Sequence, residues 1–376
     1  MSDKAEPNYT LRTNSVPNDT EADSQWAIQD MELDKAWDVE TGDENIIIAV
    51  LDTGIDYNHV DLSSNVIAGY DFVNDDNDAM DDNGHGTAVA GIIGAIGNNN
   101  KGIVGVNWAC KIMPVKVVGS NGTGSYFNIA QGILYATDNN ARVLNLSIGG
   151  YAYSEIFEAA IDYAVSAGCV IVAGVGDDNT NTVMYPAGHD GVIGASATEE
   201  SDKISMDSNY GNFLDIYAPG INIYTTKPND EYGSESGSSM ASAYVAGIAG
   251  FVLASSNTLT GAQVQTIIYN NSDWIKMNYK GTYGHGKINA HRAILVAKGI
   301  ENIDIAIVDF NIVPATPVTG LQATITVTLQ NQGNVPTTAT NVRLYIDETE
   351  NQVVPISALE PNETITKTLY WTPSGE

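Results

Sequence analysis

Ile46-Ile47-Ile48-Ala49-Val50-Leu51-Asp52-Thr53-Gly54 is the stretch on which the fold turns. Six apolar residues follow one another without alternation, so both faces of the strand they form are covered, as in a parallel sheet. The run ends on a carboxylate and a glycine, at the edge where open parallel sheets collect their ligand sites. Downstream, similar strands are predicted at 112–118, 143–147, 169–173 and 192–197, with helices at 87–96, 126–138, 154–167, 239–254 and 261–269. Repeated strand–helix alternation predicts an α/β fold whose mostly parallel sheet carries helices on both faces. Upstream, residues 1–25 are polar and read as an extended arm to a main domain over 26–298. Beyond about residue 297 the pattern changes. Alternating runs at 323–329, 342–346 and 364–371, separated by Gly, Pro and Asn turns, predict an antiparallel β-sandwich over 303–376.

The 376 residues include 43% hydrophobic ones, enough for a large core. Lys and Arg number 16 against 46 Asp and Glu, a net charge of −30. Such a chain repels nucleic acid and anionic membranes. No unbroken apolar run reaches the roughly 18 residues of a membrane span. Cys110 and Cys169 each border an apolar run and read as buried free thiols rather than a disulfide. The acidity fits an extracellular protein, with part of it serving as hard oxygen ligands for calcium.

Three segments carry chemistry: Asp52-Thr53-Gly54, Asn83-Gly84-His85-Gly86-Thr87, and Gly237-Ser238-Ser239-Met240-Ala241. Singly they are a turn, a helix start and an N-cap serine. Together they supply what nucleophilic catalysis needs: a serine, a base for its proton, and an acid to orient the base. Each lies in a glycine-containing junction where backbone can approach a substrate.

At these residues, in the order Asp, His, Ser, the chain resembles the subtilase family. His85-Gly86-Thr87 with Val89-Ala90-Gly91, and Ser239-Met240-Ala241 with Val245-Ala246-Gly247, carry the likeness, which runs from about residue 16 to 297. The resemblance implies a subtilisin-like three-layer fold and a secreted endopeptidase acting through an acyl-enzyme on Ser239, with His85 as base and Asp52 orienting it. It places a peptide or protein substrate as an added strand between Gly122-Thr123-Gly124 and Ser147-Ile148-Gly149. Tyr126 would lid the S4 pocket. Ala173-Gly174-Val175 would form the second S1 wall, near Tyr185-Pro186-Ala187, and these small apolar walls suggest a large apolar P1 residue. The other reading of Ile148 and Val175 is simply core.

The chain departs from the family at the oxyanion position. An Asn usually stands there; here Val172-Ala173-Gly174-Val175-Gly176 leads to Asp177. An amide donates to the negative oxygen of the tetrahedral intermediate, whereas an ionised carboxylate repels it. Loss of that donor costs about 3–4 kcal/mol. Three accounts stand: burial keeps Asp177 neutral and shifts activity to acid pH; the chain is a weak or inactive protease retained for peptide binding or surface attachment; or Asn179 supplies the donor. Ala88 and Ala243 also replace a His and a Pro common in the family.

The resemblance further implies calcium. Asp19, Asp61, the Asn99 side chain and the carbonyls of Ile96, Lys101 and Ile103 would form one site, pinning the arm to the body. Asp71, Asp76 and Asp78, in an acidic run that otherwise reads as a solvated loop, are candidates for a second. Residues 303–376 resemble the CARDB adhesion-related module through Asn331-Gln332-Gly333-Asn334 and Leu369-Tyr370-Trp371, and read as one strand short. Glu6-Pro7-Asn8-Tyr9 resembles the junction left by a removed propeptide. A monomer is expected.

Overall fold

The structure is a computed structural model that describes residues 17–273, 275, 283–346 and 349–373. The expected propeptide junction at residues 6–9 and most of the expected arm lie outside the described residues. Seven strands form one parallel sheet in the order β2-β3-β1-β4-β5-β6-β7. They are β1 (Ile47–Asp52), β2 (Tyr70–Asp71), β3 (Lys111–Lys116), β4 (Val143–Leu146), β5 (Val170–Gly174), β6 (Val192–Thr198) and β7 (Ile216–Pro219). The chain leaves β1 toward β2 and β3, then crosses back to β4 on its other side. This reversal opens a crevice at the carboxyl ends of β1 and β4, and Asp52 is the last residue of β1.

Helices α1 (Ala27–Asp30) and α2 (Leu33–Trp37) precede the sheet. Helices α3 (His85–Gly94), α4 (Tyr126–Asp138), α5 (Glu155–Ser166), α6 (Ser238–Ser255), α7 (Gly261–Asn270) and α8 (Ala290–Ala297) follow in chain order. Both faces of each central strand are buried, and successive residues feed opposite layers. Ile48 and Val50 pack with α3 and α6, while Ala49 and Leu51 pack with α4 and α5. The unbroken apolar run at 46–51 follows from this double coverage. Helix α6 is apolar on all sides and long enough to cross a membrane, yet 83% of it is buried inside the protein. It is the core helix against β4–β7. Cys110 and Cys169 are both free and buried.

A hairpin of β8 (Ile223–Lys227) and β9 (Glu231–Glu235) closes over α3. After α8 come β10 (Ile305–Val313), β11 (Ala323–Asn331), β12 (Thr340–Ile346), β13 (Thr349–Ile356) and β14 (Thr364–Trp371). They pair antiparallel as β10-β11-β14 and β12-β13. The inward residues Ile325, Val327 and Leu329 of β11 alternate with less buried ones and build a small core with Ile356 and Leu369.

Candidate active site

The acid and the histidine meet at the carboxyl edge of the sheet. Asp52 is fully buried, and its two oxygens lie 2.8 and 3.0 Å from Nδ1 of His85. His85 opens α3, preceded by Gly84 at φ 108°, a conformation that favours glycine. The next residue is glycine for steric reasons, since a Cβ on Gly86 would lie 2.0 Å from the Gly54 carbonyl oxygen. The charge of Asp52 raises the His85 pKa above its ordinary value, outweighing the burial that lowers it. The hydrogen bond His85 donates to Asp52 and the charge of Asp81 add to the rise, and Lys227 works against it.

Ser239 is the second residue of α6, after Gly237 at φ 142°. Its Oγ donates to the Ser147 carbonyl at 3.2 Å. Ser147 Oγ in turn bonds Ser239 O at 3.1 Å and Ser242 Oγ at 2.9 Å, so the end of β4 and the start of α6 are stitched together.

A shell beneath these groups had no distinct signal in the sequence. Asp81 is buried, with Oδ1 accepting from Thr53 Oγ1, Asn83 N and Gly84 N, and Oδ2 from Thr87 N and Thr87 Oγ1. Burial alone would raise its pKa, but these hydrogen bonds, Thr87 first, together lower it. Thr53 Oγ1 also accepts from Gly86 N at 2.9 Å. Lys116, opposite Asp52 in the register, is buried with Nζ 2.5 Å from Thr53 O and 2.6 Å from Asp82 Oδ1. The loops that carry Asp52 and His85 are thus tied to one another.

A cleft of about 410 Å³ adjoins Asp52 and His85. Gly122, Thr123 and Gly124 form one side, Ser147, Ile148 and Gly149 the other, with Tyr126 and Phe157 at one end. The rings of Tyr126 and Phe157 lie 5.5 Å apart. Ala173, Gly174 and Val175 are instead fully buried, and Val175 belongs to the core facing α4 and α5. The glycine that faces Gly149 is Gly176, and the Met184 side chain lies against both.

Asp177 is exposed, where one of the three accounts of it expected burial. Its oxygens accept from Ser238 N at 3.0 Å and Ser238 Oγ at 3.0 Å, capping the positive end of α6. Asn179 sits in a left-handed turn with its N–H bonded to Asp207 O. Asp177 is therefore the residue beside the start of α6.

Asp19 and Asp61 are buried together beneath the loop 96–103. Asp19 accepts from Asn98 N and Asn99 N, and Asp61 from Asn99 Nδ2, Ile103 N and Tyr232 OH. Burial, and then the charge of Asp61, raise the Asp19 pKa, although the backbone donors oppose this. Among the described residues no ammonium or guanidinium forms an ion pair with either carboxylate. Two buried like charges with oxygen-rich surroundings fit a hard cation. Ile96, Lys101 and Ile103 lie on the same loop. The expected second site is not assembled. Asp71 turns onto Val73 N, Asn74 N and Asn74 Nδ2, whereas Asp78 accepts from Tyr57 OH and Asp76 from Asp78 N. No cluster of three or more carboxylate, His or Cys ligands occurs among the described residues.

A parallel α/β sheet with its polar groups gathered at the carboxyl edge is the class of α/β proteins that carry their sites on that edge. Within that class the chain belongs to the subtilase family of serine endopeptidases, whose family model matches residues 43–298. A second model, CARDB, matches residues 303–376. The chain is 41% identical over 292 residues to the thermophilic serine proteinase of Bacillus sp. (strain AK1), covering 77% of this chain and 72% of that protein. It is 38% identical over 281 residues to thermitase of Thermoactinomyces vulgaris, covering 74% and 99%. The halolysin-like extracellular serine protease Nep of Natrialba magadii is 35% identical over 298 residues, covering 77% and 55%. A solved protease structure from Pseudoalteromonas arctica PAMC 21717 superposes with a TM-score of 0.69 at 31% identity, over 75% of this chain and all of that one.

Proposed function

We propose that the domain over 26–298 cleaves peptide bonds through Asp52, His85 and Ser239, with 1–25 as an arm and 303–376 as an accessory sandwich. The observation that carries this reading is the buried Asp52 carboxylate on His85 Nδ1, 2.8 Å away. It fixes the tautomer that leaves Nε2 free to take a proton and stabilises the imidazolium that results. Ser239 Oγ, turned from Ser147 O toward His85, attacks the peptide carbonyl. His85 takes its proton and delivers it to the leaving amine, giving the acyl-enzyme that water then hydrolyses. The peptide lies as a strand between Gly122–Gly124 and Ser147–Gly149, and the Ser239 N–H faces the developing oxyanion. Asp177 offers no donor there in its ionised form, so turnover is modest.

Asp19, Asp61 and Asn99, with carbonyls of Ile96, Lys101 and Ile103, hold one calcium ion. A bound ion neutralises the two buried carboxylates and fastens residues 18–21 to the body. The extracellular relative Nep and the acidic composition support secretion. A monomer acting on protein or peptide substrates, matured by loss of a propeptide, fits this reading.

The Asp177 position favours a second reading, a subtilase-fold protein that captures peptides without efficient cleavage. A fluorophosphonate probe separates the two. Labelling that disappears in Ser239→Ala, together with peptide hydrolysis, is the expected result. A folded protein that stays unlabelled between about pH 5 and 10 overturns the enzymatic reading.

A further inference from the structure

We infer that Met184 fills the P1 pocket and restricts cleavage to bonds following a small residue. This rests on the reading of the cleft as the peptide site, and it replaces the expectation of a large apolar P1 residue. Two backbone segments flank the start of α6 at Ser238 and Ser239: Ser147 to Gly149 after β4, and Gly174 to Gly176 from the last residue of β5. Glycines at Gly149 and Gly176 would leave a broad slot between them. One thioether occupies it. A Cβ built on Gly149 would lie 2.9 Å from Met184 Sδ and 3.0 Å from its Cε, and one built on Gly176 would lie 2.3 Å from Sδ. The same methionine therefore touches both walls.

The plug is held in place. Tyr185, the next residue, pairs with Gly150 through two backbone hydrogen bonds of 2.8 and 2.9 Å. Met184 O accepts from Gly188 N at 2.8 Å. Asn209 Nδ2 approaches Met184 Sδ at 3.9 Å while bonding Val175 O at 2.9 Å and Tyr151 OH at 3.1 Å. Methionine is the adaptable filler of such gaps. Admitting a phenylalanine or leucine side chain requires its displacement into space already taken by Asn209 and the two glycine walls. An alanine, glycine or serine side chain at P1 needs no such movement.

The test uses the full chain and a series of tetrapeptide amide substrates differing only at P1. The wild type is expected to show kcat/KM for Ala at least about tenfold above that for Phe, the discrimination that a few methylenes of pocket space provide. Met184→Gly is expected to reverse the order, and Met184→Ala to shift it partway. Binding of peptides ending in Ala or Phe to Ser239→Ala measures the same pocket without catalysis. A protein that binds with the Ala preference yet hydrolyses nothing sinks the proposed activity and keeps this inference. A wild type that favours Phe, or a Phe-to-Ala ratio unmoved by both Met184 variants, overturns it.

Discussion

His85 and Asp177 pull the activity in ways that can be measured separately. The Asp52 charge lifts the His85 pKa above 6.5, and the general base must be neutral to act. We therefore expect kcat/KM to rise with pH through a midpoint above 6.5, as a pH–rate profile will show. The sign for stability is the reverse. A raised folded pKa makes the His85–Asp52 pair stabilising below pH 6.5, and that contribution is lost as pH climbs through the folded value. Asp52→Asn should lower kcat by about 10⁴-fold, because the imidazole is then held in the wrong tautomer. At the other residue, Asp177→Asn places an amide beside the start of α6, where the carboxylate now accepts from Ser238 N. Turnover near neutral pH should rise, by up to about 10²–10³-fold if the amide supplies a full oxyanion donor. Unchanged turnover would mean that Asp177 does not face the intermediate.

The turn between β2 and α3 is the element on which the geometry depends. Asp81 gathers five donors there and ties Thr53, on the Asp52 loop, to Thr87, in the first turn of α3. Asp81→Asn keeps the shape but turns an NH2 group toward some of those donors. We expect a loss of about 2–4 kcal/mol in denaturant unfolding and a fall in kcat larger than any change in KM. Its lowered pKa makes the Asp81 contribution present above pH 3.8 and lost as pH falls through the folded value. The strands and helices around this turn were legible in the sequence, because doubly buried strands leave unbroken apolar runs and helices between them are rich in small residues. Asp81 was not, since one carboxylate among several in an acidic run looks like its neighbours until the fold buries it. The second pocket wall was misread by a single step. In a strand adjacent residues face opposite ways, so reading 173–175 in place of 174–176 counted the core-facing Ala173 and left out Gly176, which lies against Met184. Met184 lay among turn residues, and its role appears only once β4 and β5 are side by side.

For the whole molecule the governing quantity is charge. A net −30 on 376 residues repels itself, and the folded state concentrates that repulsion. Moderate salt should raise the melting temperature, with most of the gain complete once the Debye length falls below about 10 Å. The proposed calcium ion would act at one point of this field. A chelator should lower the melting temperature by about 5–10 °C, the equivalent of a ligand held at roughly a hundred times its Kd, and Asp19→Asn should abolish the response. A chelator response that survives in Asp19→Asn would place the ion elsewhere. The hydrogen bonds from Asn98 and Asn99 to Asp19 join positions some eighty residues apart in sequence. Released, the arm segment around Asp19 would become an unfolded polypeptide tethered to the cleft proposed to cleave peptides. The clasp at Asp19 would then set how long a preparation survives its own company, and the working lifetime of the enzyme would be counted in arm openings rather than in turnovers.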